Sequence, residues 1–136
     1  MIQLLKRHGF TSDQLPAILW AVLIFVASSI PSITLPELKF IPADKAVHLI
    51  VYFVFCALAF RALSYQKRFP RIASRALTGA LLLSVLFGLS DEFHQSFVPN
   101  RVADVLDVVA DSLGALLFLA YELAGRRRSA PTNKPV

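Results

Sequence analysis

At 136 residues, 56% of them apolar and 17% charged, the chain is too short to bury its apolar side chains in a water-surrounded core, which excludes an ordinary soluble domain. The surplus must face lipid. A net charge of +5 would suit a nucleic-acid binder, but the basic residues sit at the ends of apolar runs and not among stacking aromatics, so no nucleic-acid partner is expected.

Four apolar segments follow in chain order, roughly 15–30, 46–63, 76–93 and 105–123. Each is near the ~17 to 25 residues that cross a hydrocarbon core as a helix. Pro16 suits the first turn of the first helix, while Ser28, Ser29 and Pro31 mark its exit, and Pro36 and Pro42 keep the next loop extended. Lys6, Arg7 and the apolar stretch ending near Ala27 also have the order of a cleavable signal peptide, an alternative that would leave three spans. Cys56 lies mid-span as a packing residue, and one cysteine allows no disulfide or zinc framework within the chain. The fold class expected is all-α, an integral membrane four-helix bundle over 15–124 with a short N-terminal tail over 1–14. A basic, disordered tail is expected over 125–136, with Pro131 and Pro135 near its end.

Orientation follows from Lys and Arg. Lys6 and Arg7, then Arg61, Lys67, Arg68, Arg71 and Arg75, then Arg126, Arg127, Arg128 and Lys134 fall on one side, against Lys39, Lys45 and Arg101 on the other. The positive-inside rule therefore puts both termini in the cytoplasm. The acids show the opposite bias: Glu37, Asp44, Asp91, Glu92, Asp104, Asp107 and Asp111 belong to the outer loops or outer halves of the spans. Acids contribute little to topology, so their asymmetry asks for a functional account.

Helix rise places several of these groups at one depth. Asp44, His48 and Tyr52 lie about 26, 20 and 14 Å above Arg61, Glu92 about 24 Å above Ala76, and Asp107 and Asp111 about 21 and 15 Å above Tyr121. The first three recur at i, i+4 and i+8; Asp104, Asp107, Asp111 and Gly114 form a second stripe; Ser84, Gly88, Glu92 and Gln95 form a third. A carboxylate facing lipid at such depth costs at least ~2.5 kcal/mol, so the three faces should meet inside the bundle or at a wet cleft. Gly88 and Gly114 would allow close backbone approach. Val98, Pro99 and Asn100 form a helix break that swings Arg101 back over the outer mouth.

Three runs carry a resemblance to a known family: Asp44-Lys45-Ala46-Val47-His48 entering one span, Asp91-Glu92-Phe93-His94-Gln95 leaving another before Pro99-Asn100-Arg101, and Asp107-Val108-Val109-Ala110-Asp111-Ser112-Leu113-Gly114. In this order they resemble the VanZ-like membrane proteins, over about 28–117. The resemblance implies a small four-span protein of the bacterial cytoplasmic membrane, in a family named for a protein associated with resistance to the glycopeptide teicoplanin. Asp111 stands where many such proteins carry Asn, which adds an acid here.

The reading preferred for the layer is a site that binds or alters the head of an envelope lipid or lipid-linked cell-wall precursor. His48, Glu92 and Asp107 would be its catalytic groups, with Asp44, Lys45, Tyr52, Gln95, Arg101 and Asp111 binding substrate. Glu92 and Asp107 also suit a divalent cation such as magnesium or calcium, since the acids need a cation, Arg101 or His48 to balance them. A second reading is a proton- or ion-coupled carrier or channel, for which four spans would require an oligomer. A third is purely structural: Asp44 capping its helix, His48 bonding across the bundle and Arg101 pairing with Asp104. Two lesser arrangements, a nucleophilic Ser90-Asp91-His94 set and a zinc site from Asp91, His94 and His48, have poor geometry on one helix.

Overall fold

The computed structural model describes residues 9–31 and 42–129, so Lys6, Arg7, Pro36, Glu37, Lys39 and the segment after Ser129 lie outside the described residues. A π-helical turn, Phe10–Gln14, runs into α1, Leu15–Ser28; α2 spans Pro42–Ser64, the short α3 Pro70–Ser74, α4 Ala76–Gln95 and α5 Val105–Ser129. Four helical stretches are long and apolar enough to cross a bilayer: Phe10–Ser28, Asp44–Ser64, Ala76–Gln95 and Val105–Ser129. The fold is therefore the expected all-α membrane bundle. In lipid each backbone polar group needs a partner within its own segment, which a continuous helix supplies.

The helix limits differ from the apolar runs for electrostatic reasons. The first helical stretch starts at Phe10 because Asp13 is buried against Arg61, whose Nε lies 3.0 Å from Asp13 Oδ1. Gln14 Nε2 donates to the Ala62 carbonyl at 3.3 Å beside it, tying this end of α1 to α2. Pro42, expected in the loop, instead opens α2, where its missing donor costs nothing. Residues 125–129, expected in a disordered tail, continue α5 to Ser129. Arg126, Arg127 and Arg128 suit the negative end of the helix dipole, and Arg126 bonds Glu122 one turn back at 3.0 Å.

α2, α4 and α5 form the packed trio, with α2 and α5 closest. A methyl group added at Gly114 would collide with the Leu49 carbonyl oxygen, so this glycine sets the α2–α5 approach. Cys56, Ala59, Ala80, Ala115 and Phe118 fill the middle of the trio. α1 lies beside α2 and α4, bonded at mid-height by Trp20 Nε1 donating to the Val51 carbonyl at 3.1 Å. Leu82, Leu86, Leu89 and Phe93 on α4 and Val22, Phe25 and Val26 on α1 are exposed, as lipid-facing residues should be.

Candidate functional site

Successive long helices run antiparallel, so the end of α1, the start of α2, the end of α4 and the start of α5 share one end of the bundle. There the i, i+4 spacing of Asp44 and His48 on α2 meets the i, i+4 spacing of Asp107 and Asp111 on α5. Lys45 Nζ bonds Asp104 Oδ2 at 2.6 Å and also bonds Asp107 Oδ1, with Asp44 Oδ2 3.6 Å away. His48 Nδ1 lies 2.9 Å from Asp111 Oδ1, and its Nε2 lies 3.9 Å from Asp107 Oδ2. A carboxylate only accepts, so bonding to ionised Asp111 requires a hydrogen on His48 Nδ1. From α4, Glu92 Oε2 accepts the Asp104 N–H at 2.9 Å. Asp104, at the exposed mouth, has its carboxyl held below the usual range by its bond to Lys45 and then by the Leu106 N–H.

A second polar set faces α1. Asp91 Oδ2 accepts from Ser28 Oγ at 2.8 Å and from Gln95 Nε2 at 3.1 Å. Gln95 Oε1 accepts from Arg101 Nη1 at 3.2 Å, while Arg101 Nε and Nη2 donate to the Ile30 and Ala27 carbonyls at 3.1 and 3.2 Å. Asn100, at φ 61°, makes the left-handed turn that returns Arg101 over the end of α1. His94 stacks on Phe25 with centroids 4.5 Å apart and bonds Ser29 Oγ at 2.9 Å, a further tie between α1 and α4.

Between α1 and the α2–α4 pair lies a cavity of about 460 Å³. Trp20, Leu23, Ile24, Val47 and Val51 make its apolar wall. Asp44, His48, Tyr52, Asp91, Gln95 and Arg101 make its polar one. Among the described residues five buried side-chain polar atoms have no hydrogen-bond partner, Tyr52 Oη, Ser84 Oγ, Asp91 Oδ1, Glu92 Oε1 and Asp111 Oδ2, and of these residues Tyr52 and Asp91 line the cavity. Such atoms are costly to bury and mark places where a ligand's polar groups fit.

Asp44, His48 and Asp107 offer ligand atoms all within 4.8 Å of one another, and His48 would be oriented from behind by Asp111 as metal-bound imidazoles commonly are. The fit is incomplete, because Lys45 already supplies a positive charge to Asp104 and Asp107. A divalent cation would have to move that ammonium aside.

The three runs thus meet at one end of the bundle, and comparison with known proteins supplies the family. The VanZ/LLP1 family model matches residues 13–123, most of the chain. The chain belongs to the VanZ/LLP1 family. A curated relative in Schizosaccharomyces pombe, described as uncharacterized, is 31% identical over 86 residues, covering 62% of this chain and 49% of that protein. The chain therefore spans about half the length of that relative. No solved structure matches the chain.

In this VanZ/LLP1 chain the expected residues divide between two sets. Lys45, His48, Glu92, Asp107 and Asp111 join in one cluster with Asp104, and Asp44 stands at its rim. Gln95 and Arg101 belong to the second set, and Tyr52 is buried below both. Arg101 does not pair with Asp104, because Lys45 has claimed that carboxylate and the turn at Asn100 aims the guanidinium at α1. Ser90 is exposed while His94 is held by Phe25 and Ser29, so no nucleophilic set forms. Ser28 and Trp20 were not expected at the site, and Asp91 was expected only in the nucleophilic and zinc sets that do not form. The i, i+4 relation of Asp91 to Gln95 was the available signal, overshadowed by the Glu92 and Gln95 pairing.

Proposed function

We propose that this end of the bundle binds the polar head of a membrane lipid, or of a lipid-linked envelope precursor, with the acyl chain along α1. The observation that carries the reading is the cavity itself: an apolar wall from α1 and α2 facing a polar wall that includes His48, Asp91 and Arg101. With both termini in the cytoplasm, as the basic residues favour, the site faces outward.

Any chemistry would centre on His48. Its Nδ1–H is anchored on Asp111 and the ring lines the cavity, an arrangement suited to a general acid or base. Asp107, held by Lys45, and Glu92, which fixes the Asp104 backbone, act as positioning groups; this replaces direct contact with substrate, since neither lines the cavity. The carrier reading is disfavoured by the apolar block of Cys56, Ala59, Ala80, Ala115 and Phe118 beneath Tyr52, which supplies no relay of charged groups toward the arginine-rich end.

Comparative lipidomics of membranes with and without the protein tests the reading. A lipid or precursor whose level changes on deletion, restored by wild type and not by His48→Gln, is expected. An unchanged lipid profile on deletion, or a changed profile that His48→Gln and Glu92→Gln restore as fully as wild type, would remove it.

A further inference from the structure

The two unused binding capacities of the cavity differ in sign. Asp91 is 5% exposed, and both hydrogen bonds it accepts, from Ser28 and Gln95, fall on Oδ2 and come from neutral groups. Oδ1 has no partner. The carboxylate therefore still needs a donor, and a cationic donor would balance its charge as well. Arg101 is the reverse case. Its three hydrogen bonds go to carbonyl-type oxygens of Ile30, Gln95 and Ala27, leaving one hydrogen on each of Nη1 and Nη2 and no carboxylate in ion-pair reach among the described residues. Gln95 bridges the two groups, 3.1 Å from one and 3.2 Å from the other.

From this we infer that the cavity selects a lipid whose head is an aminoalkyl phosphate with an ammonium that carries at least one N–H, the ammonium on Asp91 Oδ1 and the phosphate on Arg101. The inference rests on the lipid-head reading above and names the class of head. In such a head only two carbons and an ester oxygen separate nitrogen from phosphorus, so both ends fit within one cavity where a single carboxamide, that of Gln95, bridges Asp91 and Arg101. A trimethylated ammonium has no N–H to give Asp91, and it leaves Oδ1 unsatisfied. An anionic polyol head can donate from its hydroxyls, but it brings net negative charge beside Asp44, Asp91 and Asp107 and leaves Asp91 unbalanced. The apolar wall of Trp20, Leu23, Ile24, Val47 and Val51 takes the first acyl carbons, so the source is a lipid and not a free head group.

The test is native mass spectrometry of the full-length protein equilibrated with equal amounts of phosphatidylethanolamine, its N-methyl and N,N-dimethyl forms, phosphatidylcholine and phosphatidylglycerol of identical acyl chains. Retention of the first three over phosphatidylcholine and phosphatidylglycerol by roughly tenfold or more is expected. Asp91→Asn should bring the ethanolamine-to-choline ratio close to one while lipid is still retained. Equal retention of all heads by wild type, or a preference unaltered in Asp91→Asn, would overturn the head assignment and leave lipid binding standing, whereas equal binding of soluble phosphoethanolamine would overturn the lipid as its source. Retention of no lipid at all would overturn both. The methylation series is read on wild type, so it decides the matter even if the variant does not fold.

Discussion

Lys45 and His48 reach from α2 to two acids on α5 that stand one turn apart, and this pairing governs how so many carboxylates share one layer. Lys45→Met would leave Asp107 buried beside Asp111 with its cation gone, which is costly because the remaining charge is uncompensated. Thermal melts in detergent should show a clear drop for Lys45→Met and a smaller one for Lys45→Met with Asp107→Asn; additive losses would contradict the coupling. The sign of the pH effect follows from Asp104, whose carboxyl Lys45 holds low. Its contribution to stability is complete above the unfolded carboxylate pKa of about 3.9 and is lost as pH falls through the lower folded value. Wild type should therefore lose melting temperature below about pH 4 more steeply than Asp104→Asn; parallel pH curves would count against it. At this scale the sequence was partly legible. The spacings on α2 and α5 announced which residues meet, because two helices each presenting i, i+4 polar pairs at one depth have few other ways to be satisfied. The choice of partners was not legible: whether Lys45 or Arg101 takes Asp104 depends on how the Asn100 turn is aimed.

At the scale of elements, hydropathy located the four helices but not their ends. Asp13 falls in the expected N-terminal tail over 1–14, yet Arg61, 48 positions away, bonds its carboxylate, and no local pattern carries that information. Arg61→Met should accordingly lower the melting temperature more than Arg75→Met, since it removes a guanidinium bonded to a buried carboxylate. The glycines were read correctly as close-approach positions because they share faces with the polar stripes. Gly114→Ala forces α2 from α5 and should cost about 1 to 3 kcal/mol of overpacking. Gly125→Ala, with nothing within 4 Å of its added methyl, serves as the comparison and should be neutral or slightly stabilising. Equal melting temperatures for the two alanine variants would contradict the close α2–α5 crossing.

For the whole molecule, α1 stands apart from the trio of α2, α4 and α5 and is pinned at both ends: Asp13 to Arg61 at one, Ser28, Ser29 and the Arg101 contacts at the other. The cavity lies along its length between those pins. Hydropathy alone made α1 one span among four, and its role as a cavity wall became visible only from the side chains that cross to it. The proposed orientation can be checked with single cysteines, since Cys56 is fully buried and gives no background. Asn100→Cys should react with a membrane-impermeant maleimide on intact cells and Arg127→Cys only after permeabilisation; the reverse pattern would invert the topology. The central claim, that the cavity beside His48 holds a lipid, is most directly tested by filling it. Ala27→Trp at the cavity wall should abolish the lipid adducts that native mass spectrometry detects on the wild type, with the melting temperature kept. Adducts retained in full by a folded Ala27→Trp protein would contradict the account.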